Sequence, residues 1–190
     1  MTIEQIKQFI LGGQWVSIAP EIRPSNTKNA DGSLKPFYLT RQFKYLPGDK
    51  FELTVINFAD PNGRLPLAKM FISGKMVWNG EHPIAVGAHK VDFIADAEYQ
   101  LTPLHQGFAD AMNQFASQGF LKWEPGETQS ILKKAFAPFG LSAGKFFEEY
   151  DLLYIFQDMM FWGARNVDGR GFDSEANRPT NLQIPLVRAK

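Results

Sequence analysis

The sequence predicts a mainly β protein built as an antiparallel barrel, and three observations carry that prediction. Between Phe37 and Ile94 apolar residues recur at every second position, tight-turn motifs interrupt them at short intervals, and the strongest helical pattern follows only after that run. About eight to ten short strands are predicted, and they must hide their edges in a two-layer sandwich or a closed barrel, of which the barrel is favoured. At 190 residues the chain reads as one domain, 1–190, long enough to bury on the order of 70% of its unfolded surface.

A short N-terminal helix is predicted over residues 2–10, with Thr2 as N-cap, Gln5 at the capping-box position, and Ile3, Ile6, Phe9 and Ile10 at helical spacing. Gly12-Gly13 ends it, a first strand runs from Gln14 to Ile18, and the Pro-, Asn- and Gly-rich stretch from Pro20 to Pro36 reads as a loop. Phe37, Leu39, Phe43 and Tyr45 then alternate with polar neighbours. Leu46-Pro47-Gly48-Asp49 turns the chain into Phe51, Leu53 and Val55, and Asp60-Pro61-Asn62-Gly63 turns it again into a long strand from Leu67 to Trp78. Asn79-Gly80 is a hairpin dipeptide, so Pro83 to Ile94 is predicted as the return strand. The period changes at Thr102-Pro103, which predicts an inserted helix near 103–118 with Thr102 as N-cap, Pro103 at its first turn and Gly119 beyond its end. Later, Phe120 to Trp123 looks extended and Ser130 to Phe139 is ambiguous. Tyr150, Leu152, Tyr154 and Phe156 alternate, Met159 to Trp162 continues after a turn, Arg165 to Pro179 is a loop, and Leu182, Ile184 and Leu186 form a last strand.

Composition excludes several chemistries. With no cysteine, disulfides, thiolate zinc sites, cysteine nucleophiles and iron–sulfur clusters are ruled out. Twenty basic residues balance twenty acidic ones, which argues against a nucleic-acid partner, because such binders draw affinity from excess Lys and Arg. The start, Met1-Thr-Ile-Glu-Gln-Ile-Lys, lacks a basic and then apolar leader pattern, and no run approaches the roughly 18 apolar residues that span a bilayer. A cytoplasmic protein without a membrane span is expected. The unusual quantity is aromatic content, with 17 Phe, 4 Trp and 5 Tyr.

Among candidate functional residues, Arg41 falls in phase with Phe37, Leu39, Phe43 and Tyr45. A guanidinium pointed into a barrel is either ion-paired, with Glu21 one candidate partner, or meets a ligand's acidic group. The three histidines, His82, His89 and His105, show no metal-ligand spacing. His89 shares a face with Val91 and Phe93 and is placed to line a cavity, and it is also the one candidate for an axial haem ligand. Asp96 and Glu98 lie on one face of an extended segment, and Glu148, Glu149 and Asp151 cluster before another strand. Such carboxylates do acid–base work when burial separates their pKa values, although strand ends are usually solvated. Asn166 to Asp173 departs from the calcium-loop pattern at Arg170 and in its glycine spacing, so it reads as a turn. No Gly-x-Ser-x-Gly, P-loop or dinucleotide-binding glycine pattern occurs, and no cofactor is called for.

Gly13-Gln14-Trp15, just after the first helix, is similar to the opening of lipocalin-like (calycin) barrels. There the Trp closes one end and stacks on an arginine from near the C-terminus, which makes Arg178 and Arg188 the candidates here. A longer likeness begins at the same place. Trp15-Val-Ser-Ile-Ala-Pro20-Glu-Ile-Arg-Pro24 and Phe37-Tyr-Leu-Thr-Arg41 resemble the repeated extracellular domain of the adenomatosis polyposis coli down-regulated family, the Wnt-antagonist membrane glycoproteins. The resemblance continues through Phe58-Ala-Asp60-Pro61, Gly74-Lys75, Gly87 to Phe93, Leu101-Thr-Pro103 and Glu149-Tyr150, and ends on Arg178 to Leu186, in collinear order. It implies an incompletely closed, lipocalin-like antiparallel barrel with an apolar cavity suited to a lipid acyl chain. The chain departs from the family at Pro20 and near Ala189, where that domain carries the cysteines that tie its ends together.

The expected function is non-enzymatic binding of a small hydrophobic ligand, a fatty acid or lipid acyl chain. Its contacts are expected at Arg41, Phe43, Phe51, Leu53, Val55, Met70, Ile72, Met76, Trp78, His89 and Phe93. Two alternatives stand beside it: a hydrolase or isomerase using His89, Asp96 or Glu98, and a protein-interaction module presenting exposed aromatics.

Overall fold

A computed structural model describes residues 1–189. Helix α1 (Ile3–Ile10) is followed by strands β1 (Gln14–Ser17), β2 (Glu21–Lys28), β3 (Leu34–Leu46), β4 (Lys50–Phe58), β5 (Pro66–Glu81) and β6 (His89–Pro103). Helix α2 (Gln106–Phe115) comes next, then β7 (Gln129–Ser130), β8 (Phe147–Phe156), β9 (Met159–Trp162) and β10 (Leu186–Arg188). Short 3-10 turns occur at Ala137–Phe139 and Glu175–Asn177.

All ten strands belong to one antiparallel sheet, ordered β1-β10-β9-β8-β6-β5-β4-β3-β2 with β7 beside β6. A second pairing of β1 with β3, through Trp15↔Phe43, joins the two sides into a barrel-like ring of eight strands. Strands β3 to β6 are long and carry most of the wall, whereas β1, β9 and β10 span only 3 to 4 residues each. The alternation of β3 and β4 places Phe43, Tyr45, Phe51, Leu53 and Val55 in the buried core.

One end of the ring is covered by α1, whose Thr2–Gln5 capping box forms as the sequence predicts. Its buried Ile6 and Ile10 join the core, and the fully buried Trp15 donates its indole N–H to the Ile10 carbonyl at 3.1 Å. The Arg188 guanidinium lies 4.5 Å from the Trp15 ring centroid and donates to the Phe9 carbonyl, so Arg188 is the stacking partner. Arg178 instead lies against β6 and β8, donating to the carbonyls of Asp151 at 2.6 Å and Val91 at 3.3 Å and pairing with Asp92 at 2.6 Å.

At the other end β6 changes partner. It pairs with β8 from His89 to Ala95 and with β7 at Gln100 and Leu101. Between those stretches β6 carries a bulge opposite Gly74, where an added Cβ would lie 1.9 Å from the Ile94 carbonyl oxygen. Only glycine permits that approach. Beyond the bulge the chain from 104 to 146 contributes Ala109, Met112, Trp123, Ile131 and Phe136 to the same buried cluster as Met70, Tyr99 and Leu101. Asn113 holds this segment by accepting from the Trp123 N–H at 2.8 Å and donating to its carbonyl at 2.9 Å.

Several element boundaries differ from the sequence expectation. The stretch Pro20 to Pro36 holds β2 and the start of β3, with Pro24 opposite Pro36. Because β2 lies at the end of the strand order and β3 pairs with β4 only from Tyr38 onward, neither Pro24 nor Pro36 interrupts a two-sided ladder. Asn79-Gly80 does not turn the chain; β5 continues to Glu81, and the reversal falls at residues 82–88. There the His82 Nδ1 accepts from the amides of Ile84 and Ala85 at 3.2 and 2.9 Å, so this imidazole supplies the turn's acceptor. Thr102 and Pro103 remain in β6, and α2 is capped by His105, whose Nδ1 accepts from the Gly107 N–H at 3.1 Å. Residues 120–123 lie outside any strand, and the final strand begins only at Leu186.

Candidate functional site

The ring interior has an apolar part and a charged part. In the apolar part the Trp162 ring stacks on Phe43 at 4.4 Å and meets Phe93 at 4.3 Å, and Phe93 meets Phe51 edge-on at 5.2 Å. These rings, with Leu53, Ile72 and Ala95, line a cleft whose remaining wall is Phe147 and Glu149 of β8. The cleft lies where the β6–β8 ladder ends, at Ala95↔Phe147. Its free volume is about 20 Å³, room for about one water molecule.

Of the residues expected to contact a ligand, Phe43, Phe51, Leu53, Ile72 and Phe93 come together on this cleft. Val55 and Met70, opposite one another on β4 and β5, are buried away from it. Met76 lines a separate groove of about 250 Å³ between α1 and the β3–β4 turn. Trp78 sits near the same turn, donating its indole N–H to Asp49 at 3.1 Å. His89 is buried, with Nε2 3.1 Å from the Met1 carbonyl oxygen.

Arg41 resolves as an ion pair. Its Nε donates to Glu21 Oε1 at 2.8 Å, and Arg23 donates to Glu21 Oε2 through Nε and Nη2 at 3.1 and 2.9 Å. Glu21, Arg23 and Arg41 are 2%, 7% and 6% exposed, so this triad is desolvated. The Gln183 amide nitrogen donates to Glu21 Oε2 at 2.9 Å and its oxygen accepts from Arg41. The Arg41 guanidinium also lies 5.0 Å from the Trp162 ring centroid, a cation–π contact that joins the charged part to the apolar one. Burial acts to raise the Glu21 pKa, but Arg41 and Arg23 outweigh it and hold the carboxyl below its ordinary value.

Strand β8 supplies two more carboxyls. The residues facing the interior are Phe147, Glu149, Asp151, Leu153 and Ile155, the alternate set to the Tyr150-Leu152-Tyr154-Phe156 face that catches the eye in the sequence. Asp151 is fully buried. Its Oδ1 accepts from the amides of Leu152 at 2.7 Å and Gly163 at 2.9 Å, while Oδ2 has no partner among the described residues. Burial first and the Glu149 charge second push its pKa from 3.8 up to about 7, against the pull of Arg41, the Leu152 N–H and Arg23.

The alternative acid–base grouping does not assemble. His89 lies seven positions from Asp96 along β6, roughly 20 Å of extended chain, and Asp96 pairs with Lys75 at 3.0 Å. Glu98 is exposed and accepts from Gln100 at 2.6 Å. In the segment from Asn166 to Asp173, Asp168 accepts from the Arg170 N–H at 3.1 Å, as in a turn. Among the described residues no group of three or more His, Asp or Glu side chains is placed to hold a metal ion. No helix among them is long and apolar enough to cross a membrane.

Trp162 and Gln183 are the site residues that sequence reasoning leaves out. Glu149 and Asp151 are among the acid–base candidates of the sequence, but grouped with Glu148 ahead of a strand rather than on its inward face. The neighbouring aromatic face drew the inward direction to itself. No protein-family model matches this chain, and no curated protein matches it in sequence.

Proposed function

We propose that this protein is a non-enzymatic binder of a small hydrophobic ligand, the acyl or alkyl chain of a lipid, within a lipocalin-like barrel. The observation that carries the reading is the cleft at the end of the β6–β8 ladder, where Phe43, Phe51, Leu53, Ile72 and Phe93 converge beside Trp162. At about 20 Å³ the cleft is filled by the protein's own side chains, so a ligand enters by displacing them. Phe147 stands at the point where the ladder stops and is half-buried, which makes it the side chain to swing. A buried alkyl chain gains roughly 25 cal/mol per Å² removed from water, offset by association and rearrangement costs.

The collinear resemblance to the adenomatosis polyposis coli down-regulated domain supports the same kind of occupant. Pro20 and Ala189 stand where that domain has cysteines, so the proposal takes over its apolar cavity and not its Wnt partner. Organic extraction of the purified protein followed by mass spectrometry, with titration of a fluorescent alkyl probe, tests the reading. Recovery of a lipid and saturable probe binding that Leu53→Trp abolishes are expected. An empty extract together with no probe affinity overturns it.

A further inference from the structure

The interior also specifies the head group of its ligand, an inference that rests on the interior being the binding site. Its cations are already engaged: Arg41 and Arg23 both donate to Glu21, at 2.8 and 2.9 Å, and Gln183 accepts from Arg41. Its acceptors are not. Glu149 forms part of the cleft wall and makes no hydrogen bond or ion pair among the described residues, and Asp151 Oδ2 is buried without a partner. These two residues occupy successive inward positions of β8, so their side chains rise from the same face about 7 Å apart along the strand.

The donors nearby are spoken for. Three guanidinium groups, Arg23, Arg41 and Arg165, stand near three carboxyls, Glu21, Glu149 and Asp151, and Arg165 already donates to the Gly169 carbonyl at 3.0 and 2.8 Å. A carboxylate head entering here would meet two acceptors and find every guanidinium group occupied. An N–H donor carrying a positive charge would satisfy Asp151 Oδ2 and pair with Glu149.

We propose that the ligand is a cationic amphiphile, an alkyl chain ending in a protonated amine, with the ammonium between Glu149 and Asp151 and the chain against Phe43, Phe93 and Trp162. The elevated Asp151 pKa is consistent with this placement, since burial and Glu149 leave that carboxyl short of positive charge.

Calorimetric titration with a matched series, decylamine, decan-1-ol and decanoate, each below its aggregation limit at pH 7.5, separates the possibilities. The expected result is that decylamine binds at least tenfold more tightly than decanoate, with the alcohol between them. Glu149→Gln should weaken decylamine at least fivefold while leaving decan-1-ol within twofold. Glu149 is only half-buried, and the wild-type comparison carries the test alone should that variant not fold. Decanoate binding as tightly as decylamine, or a Glu149→Gln variant that keeps full amine affinity, overturns the head-group assignment while leaving an apolar site standing. Failure of all three ligands to bind overturns the interior as a ligand site, and the head-group assignment with it.

Discussion

Replacing Asp151 by Asn should change how the stability of this protein responds to pH. The carboxyl is fully buried, and burial together with Glu149 lifts its pKa from 3.8 to about 7 in the folded protein. A carboxyl with a raised folded pKa holds its proton more firmly when folded, so the unfolded chain binds fewer protons between roughly pH 4 and 7. Stability therefore falls as pH rises through that window and levels off above it. At about 1.4 kcal/mol per pH unit, the interval from 3.8 to about 7 corresponds to a loss on the order of 4 kcal/mol. Glu21 acts with the opposite sign: its lowered pKa contributes stability above its ordinary 4.5 that is lost as pH falls below it. The Asp151→Asn side chain keeps an oxygen for the Leu152 and Gly163 amides and removes the charge from a position where Oδ2 has no partner among the described residues. Urea unfolding of both proteins from pH 4.5 to 8.5 is the assay. The variant should show a nearly flat profile over pH 5–8 and exceed the wild type by several kcal/mol at pH 8. Parallel declines in the two proteins, or a variant less stable at pH 8, would refute the reasoning.

Glu21→Ala leaves Arg23 and Arg41 buried without their shared carboxylate, and urea unfolding at pH 7 should register a loss of about 3–5 kcal/mol. Gly74→Ala puts a methyl group against the Ile94 carbonyl oxygen; thermal unfolding should show a loss of about 1–3 kcal/mol or more, and an unchanged Tm would mean that the bulge relaxes freely. Arg188→Ala removes the stacking on Trp15 and the hydrogen bond to the Phe9 carbonyl; a loss of about 1–2 kcal/mol is expected, with altered tryptophan emission as a second readout.

How far the sequence was legible follows from the kind of signal each element left. Alternation and turn chemistry suffice for β3, β4 and the body of β5, because Pro47-Gly48 and Asp60 to Gly63 do at those places what their residue types do in isolation. Asn79-Gly80 has the same local character, yet β5 runs through it to Glu81 and the reversal falls at 82–88, with His82 accepting from two amides. Thr102-Pro103 carried a helix-start pattern inside a strand because Pro103 needs no amide there, and Thr102 is buried beside Thr128, 2.7 Å between their hydroxyls. The Glu21–Arg41 pair and the stacking of an arginine on Trp15 were readable from phase and from resemblance respectively. Asp151 was visible as one of a carboxyl cluster, but its inward direction was not, because two faces of one strand competed for the interior, and the more aromatic face, with Phe156 half-exposed, turned outward.

The seam that completes the ring joins Trp15 to Arg188 and Val16 to Val187, residues from opposite ends of the sequence. Such a contact carries a large loop-closure entropy, and a register of three residue pairs returns little against it. The β3–β6 meander, by contrast, is assembled from neighbours. The ring is therefore kinetically uneven: amide exchange should be faster at Val16 and Val187 than at Leu53 or Ile72, through local opening of the seam rather than global unfolding. That breathing stays confined to the short strands, while the long strands that line the interior remain paired.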